Sequence, residues 1–145
     1  MKPSSRFQYA LRALVDLALH QASGPVTVSL IAKRQGIPVR FLEQLFNQLR
    51  RKGVVAAERG PRGGHRLTRP ADLISIQEIF DIFESVSSQK TPWKKDGASD
   101  PARSVWDQVE KAVRNTLGST TLKNLADQLH DQIAAPVQHR YPFHI

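Results

Sequence analysis

The sequence predicts a mainly α-helical chain with one small β-hairpin. Three observations lead there. Apolar residues recur at helical spacing in six separate segments. The second and third segments are joined by a tight Gly36-Ile37 turn, the arrangement of a helix-turn-helix. A turn rich in Gly and Arg, set between two short strand-like runs, then interrupts the helical pattern once. Together these describe a winged helix-turn-helix, to which the segments after residue 100 add a long C-terminal dimerisation helix.

Each element has its own signal. Leu11, Leu14, Val15, Leu17 and Ala18 share a face behind Ser4, which is placed to cap a helix over 5–21 before Gly24-Pro25 ends the segment. Thr27 caps a short helix over 28–35 that turns Leu30, Ile31 and Ala32 inward. Pro38 is expected in the first turn of the next helix, where its missing N–H costs nothing, and Gly53 is placed to stop that helix. At about 100° per residue, Phe41, Leu42, Leu45, Phe46 and Leu49 share one face while Arg40, Glu43, Gln44, Asn47 and Arg51 gather on the other. Those outward groups match base edges: Gln and Asn pair with adenine, Glu accepts from cytosine N4, and Arg forks onto guanine. An ordinary solvated helix face looks the same, so this helix alone does not separate the two readings.

The next segment favours the first. Residues 54–58 and 65–68 read as paired strands around Arg59-Gly60-Pro61-Arg62-Gly63-Gly64. Glycines at such a tip let the backbone approach phosphates, and Arg59 and Arg62 suit the negative potential of a minor groove. His65 lies beside them, where a lone histidine more often meets phosphate or solvent than metal. The cluster lacks the Gly-Lys-Ser/Thr ending of a nucleotide-binding loop. Ser75-Ile76-Gln77-Glu78 fits a capping box that opens a helix to about residue 85, with Ile76, Ile79, Phe80 and Phe83 inward.

Residues 86–100 are polar and rich in breakers, and read as an exposed, flexible loop in which Trp93 is the odd residue. Asp100-Pro101 then supplies an N-cap and a first-turn proline for a helix over 101–117 that ends before Gly118. Trp106, Val109, Val113 and Leu117 form its apolar stripe; a last helix over 120–134 carries Leu122, Leu125, Leu129 and Ile133. Two such stripes exceed the needs of one small core, so a homodimer reading two half-sites is expected. The division that follows is 1–85 for the DNA reader, 86–100 for the loop, 101–134 for the dimerisation helices and 135–145 for a tail.

Charge points the same way. Residues 1–75 carry 13 Lys and Arg against 4 Asp and Glu, a net +9, whereas residues 76–145 carry 8 against 9. A basic half bound to a polyanion gains affinity by releasing condensed counterions, so double-stranded DNA is the expected partner. No membrane is expected: Arg12 and Asp16 interrupt the apolar run near the N-terminus, which reads as a cytoplasmic amphipathic helix and not as a signal peptide. With 0 Cys among 145 residues, disulfides and thiolate-held metal centres are excluded, and no cofactor or metal is expected. An enzyme has no support either. There is no HExxH, GxSxG or cysteine nucleophile, the acids are spaced like solvated helix charges, and the five histidines are scattered. A module whose winged helix contacts protein stays open; weak, sequence-independent DNA binding would mark it.

The stretches SSRFQYALRALVDLAL, SLIAKRQGIPVRFLEQLFNQLRRKGVV, RGPRGGHRLTRP and SVWDQVEKAVRNTLGSTTLKNLAD carry a family likeness over nearly the whole chain. The sequence resembles the Rrf-type winged helix-turn-helix regulators, the group of IscR, NsrR and CymR. That resemblance implies dimeric, sequence-specific binding to pseudo-palindromic bacterial operators, as a repressor, with the helix after residue 100 as the dimer interface. It implies base contacts from Glu43 and Gln44 and a wing contact from Arg59. Arg40 stands at a further contact position that commonly holds a small polar residue, which implies a different operator preference. Asp100 and Arg103 stand where cluster-binding relatives place a cysteine and a histidine.

Similarity to the cluster-free, CymR-like repressors of cysteine metabolism is closest in RNTLGSTTLKNLAD and in the terminal YPFHI. The tail adds a physical argument. Phe143 and a final Ile145 with a free carboxylate make a minimal peptide ligand, similar to the Ile that ends serine acetyltransferase and docks in cysteine synthase. Cysteine synthase is therefore an expected co-repressor partner. A small-molecule signal held between the loop and the dimer helices remains the other possibility.

Overall fold

The computed structural model describes residues 3–84 and 100–134. Six α-helices and one antiparallel hairpin follow one another in the expected order: α1 (Ser5–His20), α2 (Val28–Gln35), α3 (Val39–Arg51), β1 (Val55–Glu58), β2 (Gly64–Leu67), α4 (Ile76–Phe83), α5 (Pro101–Ser119) and α6 (Leu122–Ala134). Ser4 caps α1 by accepting from the Phe7 N–H, and Thr27 caps α2 by accepting from Leu30 N–H. Each satisfies one of the amides that a helix start leaves unpaired. Gly36 closes α2 at φ +65°, a left-handed conformation that glycine adopts without a Cβ penalty.

One core holds these elements together. Ala10, Ala13, Leu14 and Leu17 of α1 meet Ile31 of α2, Leu42, Leu45, Phe46 and Leu49 of α3, and Ile76 and Ile79 of α4. The hairpin pairs Val55 with Leu67 and Glu58 with Gly64, and Val54 and Val55 sink into the same core. Val26 is drawn alongside as a short third edge: its N–H donates to His65 O at 3.0 Å, and His65 N–H donates to Val26 O at 2.7 Å.

Several expectations are corrected in detail. Leu30 is not inward but 45% exposed, because Val28, Ile31 and Ala32 share the core-facing side of α2 and Leu30 lies on the other. Pro38 is the N-cap of α3 and not its first-turn residue. The Ser75 cap is made, yet the Glu78 carboxylate pairs with Arg69 instead of completing the capping box. α5 also runs past Gly118. Thr120 Oγ1 and Ser119 Oγ donate to Thr116 O at 2.8 and 3.2 Å, so hydroxyls satisfy the terminal carbonyl that a glycine stop usually serves.

The last helix is the larger departure. Its stripe was expected to wait for a second chain, whereas Leu122 and Ala126 are buried in the molecule's own core against α1. Backbone bonds enforce this: Ile76 N–H donates to Thr120 O at 2.9 Å and Leu122 N–H to Ile74 O at 3.0 Å, tying the α5–α6 turn to the start of α4. Among the described residues no helix is long and apolar enough to cross a membrane.

Candidate nucleic-acid interface

The amphipathic sequence of α3 places its two faces as the wheel requires. Leu42, Leu45, Phe46 and Leu49 are buried, Phe41 is half-buried against Tyr9, and Arg40, Glu43, Gln44, Asn47 and Arg51 are all exposed. Arg59 and Arg62 are exposed at the hairpin tip. Glycine makes that tip possible, since a Cβ at Gly63 would lie 2.4 Å from Glu58 O. Behind the tip, Arg66 Nε donates to Glu58 Oε1 at 2.7 Å across the two strands, which removes one acid from competition with an approaching phosphate.

His65 stands apart from this outward row. Its ring is half-buried and meets Phe46 of α3 edge-on, centroids 5.0 Å apart, and its Nδ1 is buried without a hydrogen-bond partner among the described residues. It therefore joins the hairpin to α3. Burial first, and the nearby Arg50 charge second, push its pKa below the ordinary 6.5. For a base with a lowered native pKa, the unfolded chain binds more protons than the folded one as pH falls through 6.5. The associated stability is present above 6.5 and is lost between there and the lower native value. Replacing His65 with Phe, which keeps the ring contact, is expected to flatten the dependence of Tm on pH between about 5 and 7.5; an unchanged slope would assign it elsewhere.

Three residues border the outward row that the sequence reading did not single out. Arg50 Nη2 donates to Asn47 Oδ1 at 3.2 Å, and Arg6 of α1 donates from Nη2 to Gln48 Oε1 at 2.9 Å. Gln48 lies one turn beyond Gln44 and Arg50 lies at the margin of the polar arc, so the wheel could have included both. Arg6 arrives from 42 positions away, beyond the reach of any local pattern.

Near α5, Asp100 serves as N-cap, accepting from Ala102 N–H at 3.0 Å, and Arg103 is exposed. Among the described residues no group of three or more His, Cys, Asp or Glu is placed to hold a metal, and the sequence contains no Cys. This donor set does not fit a thiolate-held iron–sulfur cluster. Trp106 and Val109 are 39% and 36% exposed, and Val113 and Leu117 are half-buried. Trp93, Phe143 and Ile145 lie outside the described residues.

A helix-turn-helix with a polar outward helix, buttressed by a basic hairpin, defines a winged-helix DNA-binding regulator. The comparisons agree. The family model for Rrf2, described as iron-dependent transcriptional regulator, matches residues 3–128, and the chain belongs to this family. It is 36% identical over 129 residues to the HTH-type transcriptional regulator IscR of Xenorhabdus nematophila, covering 86% of this chain and 79% of the relative. It is 41% identical over 134 residues to IscR of Cereibacter sphaeroides, covering 86% of each. Among solved structures it is similar to T. potens IscR, with TM-score 0.81 at 33% identity over 97% of both chains. CymR (YrzC), the global cysteine regulator of B. subtilis, gives 0.76 at 32% identity over 88% of this chain and 98% of that one. These relatives are transcriptional regulators, and the chain is one of them and not an enzyme.

Proposed function

We propose that the protein is a homodimeric repressor that reads a pseudo-palindromic operator, works without an iron–sulfur cluster and takes its signal from cysteine or sulfur metabolism. The observation that carries the DNA-reading part is the exposed row Arg40, Glu43, Gln44, Asn47 and Arg51 on a helix whose opposite face is wholly engaged in the core. In this reading α3 enters the major groove while Arg59 and Arg62 meet the backbone or the minor groove beside it. His65 positions the hairpin and, with its half-exposed edge beside Arg59 and Arg62, is placed to meet a phosphate. Trp106, Val109, Val113 and Leu117 meet their counterparts in the second chain. A chromosome reader of this kind works in the cytoplasm.

The division into a reader over 1–85, a loop over 86–100, dimer helices over 101–134 and a tail over 135–145 belongs to the same proposal, with the N-terminal part of α6 shared with the reader's core. The metabolic signal rests on the Cys-free sequence and on likeness to a cysteine regulator. Cysteine synthase, captured through Phe143 and Ile145, is its proposed co-repressor.

Selection of genomic fragments by the purified protein, with and without cysteine synthase, tests both parts. Enrichment of sulfur-assimilation promoters, sharpened by the synthase, is the expected result; a regulon indifferent to the synthase would remove the co-repressor and leave the DNA reader. Gln44→Ala and Arg59→Ala are each expected to cost about 1–3 kcal/mol on the selected operator. Random DNA should be bound nearly as before. Equal losses on both would make these residues phosphate contacts.

A further inference from the structure

α2, the first helix of the helix-turn-helix, is held largely by polar contacts at its C-terminal end. It spans only eight residues and buries two of them, Ile31 and Ala32. Val28 packs beside them, partly buried, and apolar contacts of this kind set no precise roll angle for a short helix, because the hydrophobic effect is not directional. Polar contacts from α1 supply the missing direction. Asp16, only 2% exposed, accepts from Arg34 Nε at 3.0 Å through Oδ2 and from Arg34 Nη2 at 2.6 Å through Oδ1. The Gln35 side chain donates to the same Oδ2 at 2.9 Å. One turn earlier on α1, Arg12 donates through Nη2 to the main-chain carbonyl of Gln35. His20 Nδ1 completes the surroundings at 3.4 Å from Oδ1.

The bonds from Asp16 and Arg12 converge on Arg34 and Gln35, the last two residues of α2, immediately before the Gly36 turn that launches α3. A forked guanidinium–carboxylate contact fixes angle as well as distance, which a point charge or an apolar contact does not. Such a pair is a poor source of net stability, since desolvating the two charges offsets most of their attraction, so its value lies in geometry. We infer that Asp16 is a positioning residue for operator reading: through Arg34 and Gln35 it sets the roll of α2 and, across Gly36, the angle at which α3 presents Gln44 and its neighbours. This rests on the proposed DNA-reading function and names the residue that tunes it without touching DNA.

Two variants test it, with specific and random DNA affinity, oligomeric state and Tm measured on the full chain. Asp16→Asn keeps the side chain's size but loses the charge; Arg34, 29% exposed, can then turn to solvent. The double variant Asp16→Leu with Arg34→Leu replaces the pair with apolar groups, an exchange that preserves or raises stability in comparable cases. Both are expected to bind random DNA as the parent does and to lose about ten- to a hundredfold in the ratio of specific to random affinity, the span of one or two mis-set base contacts. The double variant is decisive if Asp16→Asn fails to fold. A ratio kept at the parent's value in a folded variant, or restored along with Tm in the double variant, would overturn the inference and leave the pair a structural contact. If the parent itself shows no preference for any operator, it is the DNA-reading function that fails.

Discussion

Trp106→Glu combined with Val109→Glu is expected to give a folded monomer whose affinity for a two-half-site operator is lower by about 10²- to 10⁴-fold, the gain that linking two binding events provides. α5 is nineteen residues long and none of them is buried. Helices in proteins owe most of their stability to the packing of an apolar face, so the apolar positions of α5 need a partner surface. Leu117, near its C-terminal end, packs against the core, whereas Val105, Trp106 and Val109 stay exposed along the first half. An exposed row containing a tryptophan at helical spacing suits a two-fold contact, in which the same stripe meets itself. Two carboxylates on each copy place four like charges in that contact. Neither residue belongs to the core, so Tm measured at low concentration should barely move. Sedimentation velocity and titration of whole and half operators check the result; a dimer that survives the double substitution would place the interface elsewhere.

Gly64→Ala is expected to damage both the fold and operator binding. A Cβ there would lie 2.6 to 2.8 Å from the backbone C, O and N of Val26. Those atoms cannot simply yield, because Val26 exchanges two hydrogen bonds with His65, the next residue along. Overpacking costs about 1–3 kcal/mol when the neighbour is rigid, and each backbone bond forfeited adds about 1 kcal/mol. The hairpin would separate from the segment before α2, and with it the contact of His65 on Phe46. A drop in Tm together with loss of specific DNA binding is the expected outcome. Gly60→Ala is the informative comparison: its φ of +111° disfavours a side chain, but the space around it is open, so the damage should be smaller and confined to the tip. Equal effects at the two glycines would mean that backbone conformation, and not the approach of Val26, dominates at Gly64.

Much of this was legible in the residues themselves. The caps at Ser4, Thr27, Ser75 and Asp100, the Gly36 turn and the buried face of α3 follow from local chemistry: a side-chain oxygen near free amides, a glycine where φ is positive, apolar spacing that matches the helical repeat. The outward row of α3 was readable for the same reason, because a helix wheel assigns both faces at once. The stripe of α6 misled, since periodicity says that a face will be buried and not what will bury it. Leu122 and Leu129 share that stripe, yet the first is fully buried against the protein's own core and the second is 37% exposed.

Local pattern therefore determined which segments form helices, where they begin, which faces are apolar, that the basic half carries the candidate reading surface and that no thiolate is available. Tertiary structure alone decided the rest: that α6 closes on α1, that His65 turns inward onto Phe46, that Arg6 reaches Gln48, and that Asp16 grips the end of α2. Each of these joins residues 18 or more positions apart. No nearest-neighbour rule encodes such a pairing; it emerges only when the burial of all the apolar faces together leaves one place for each polar group to find a partner.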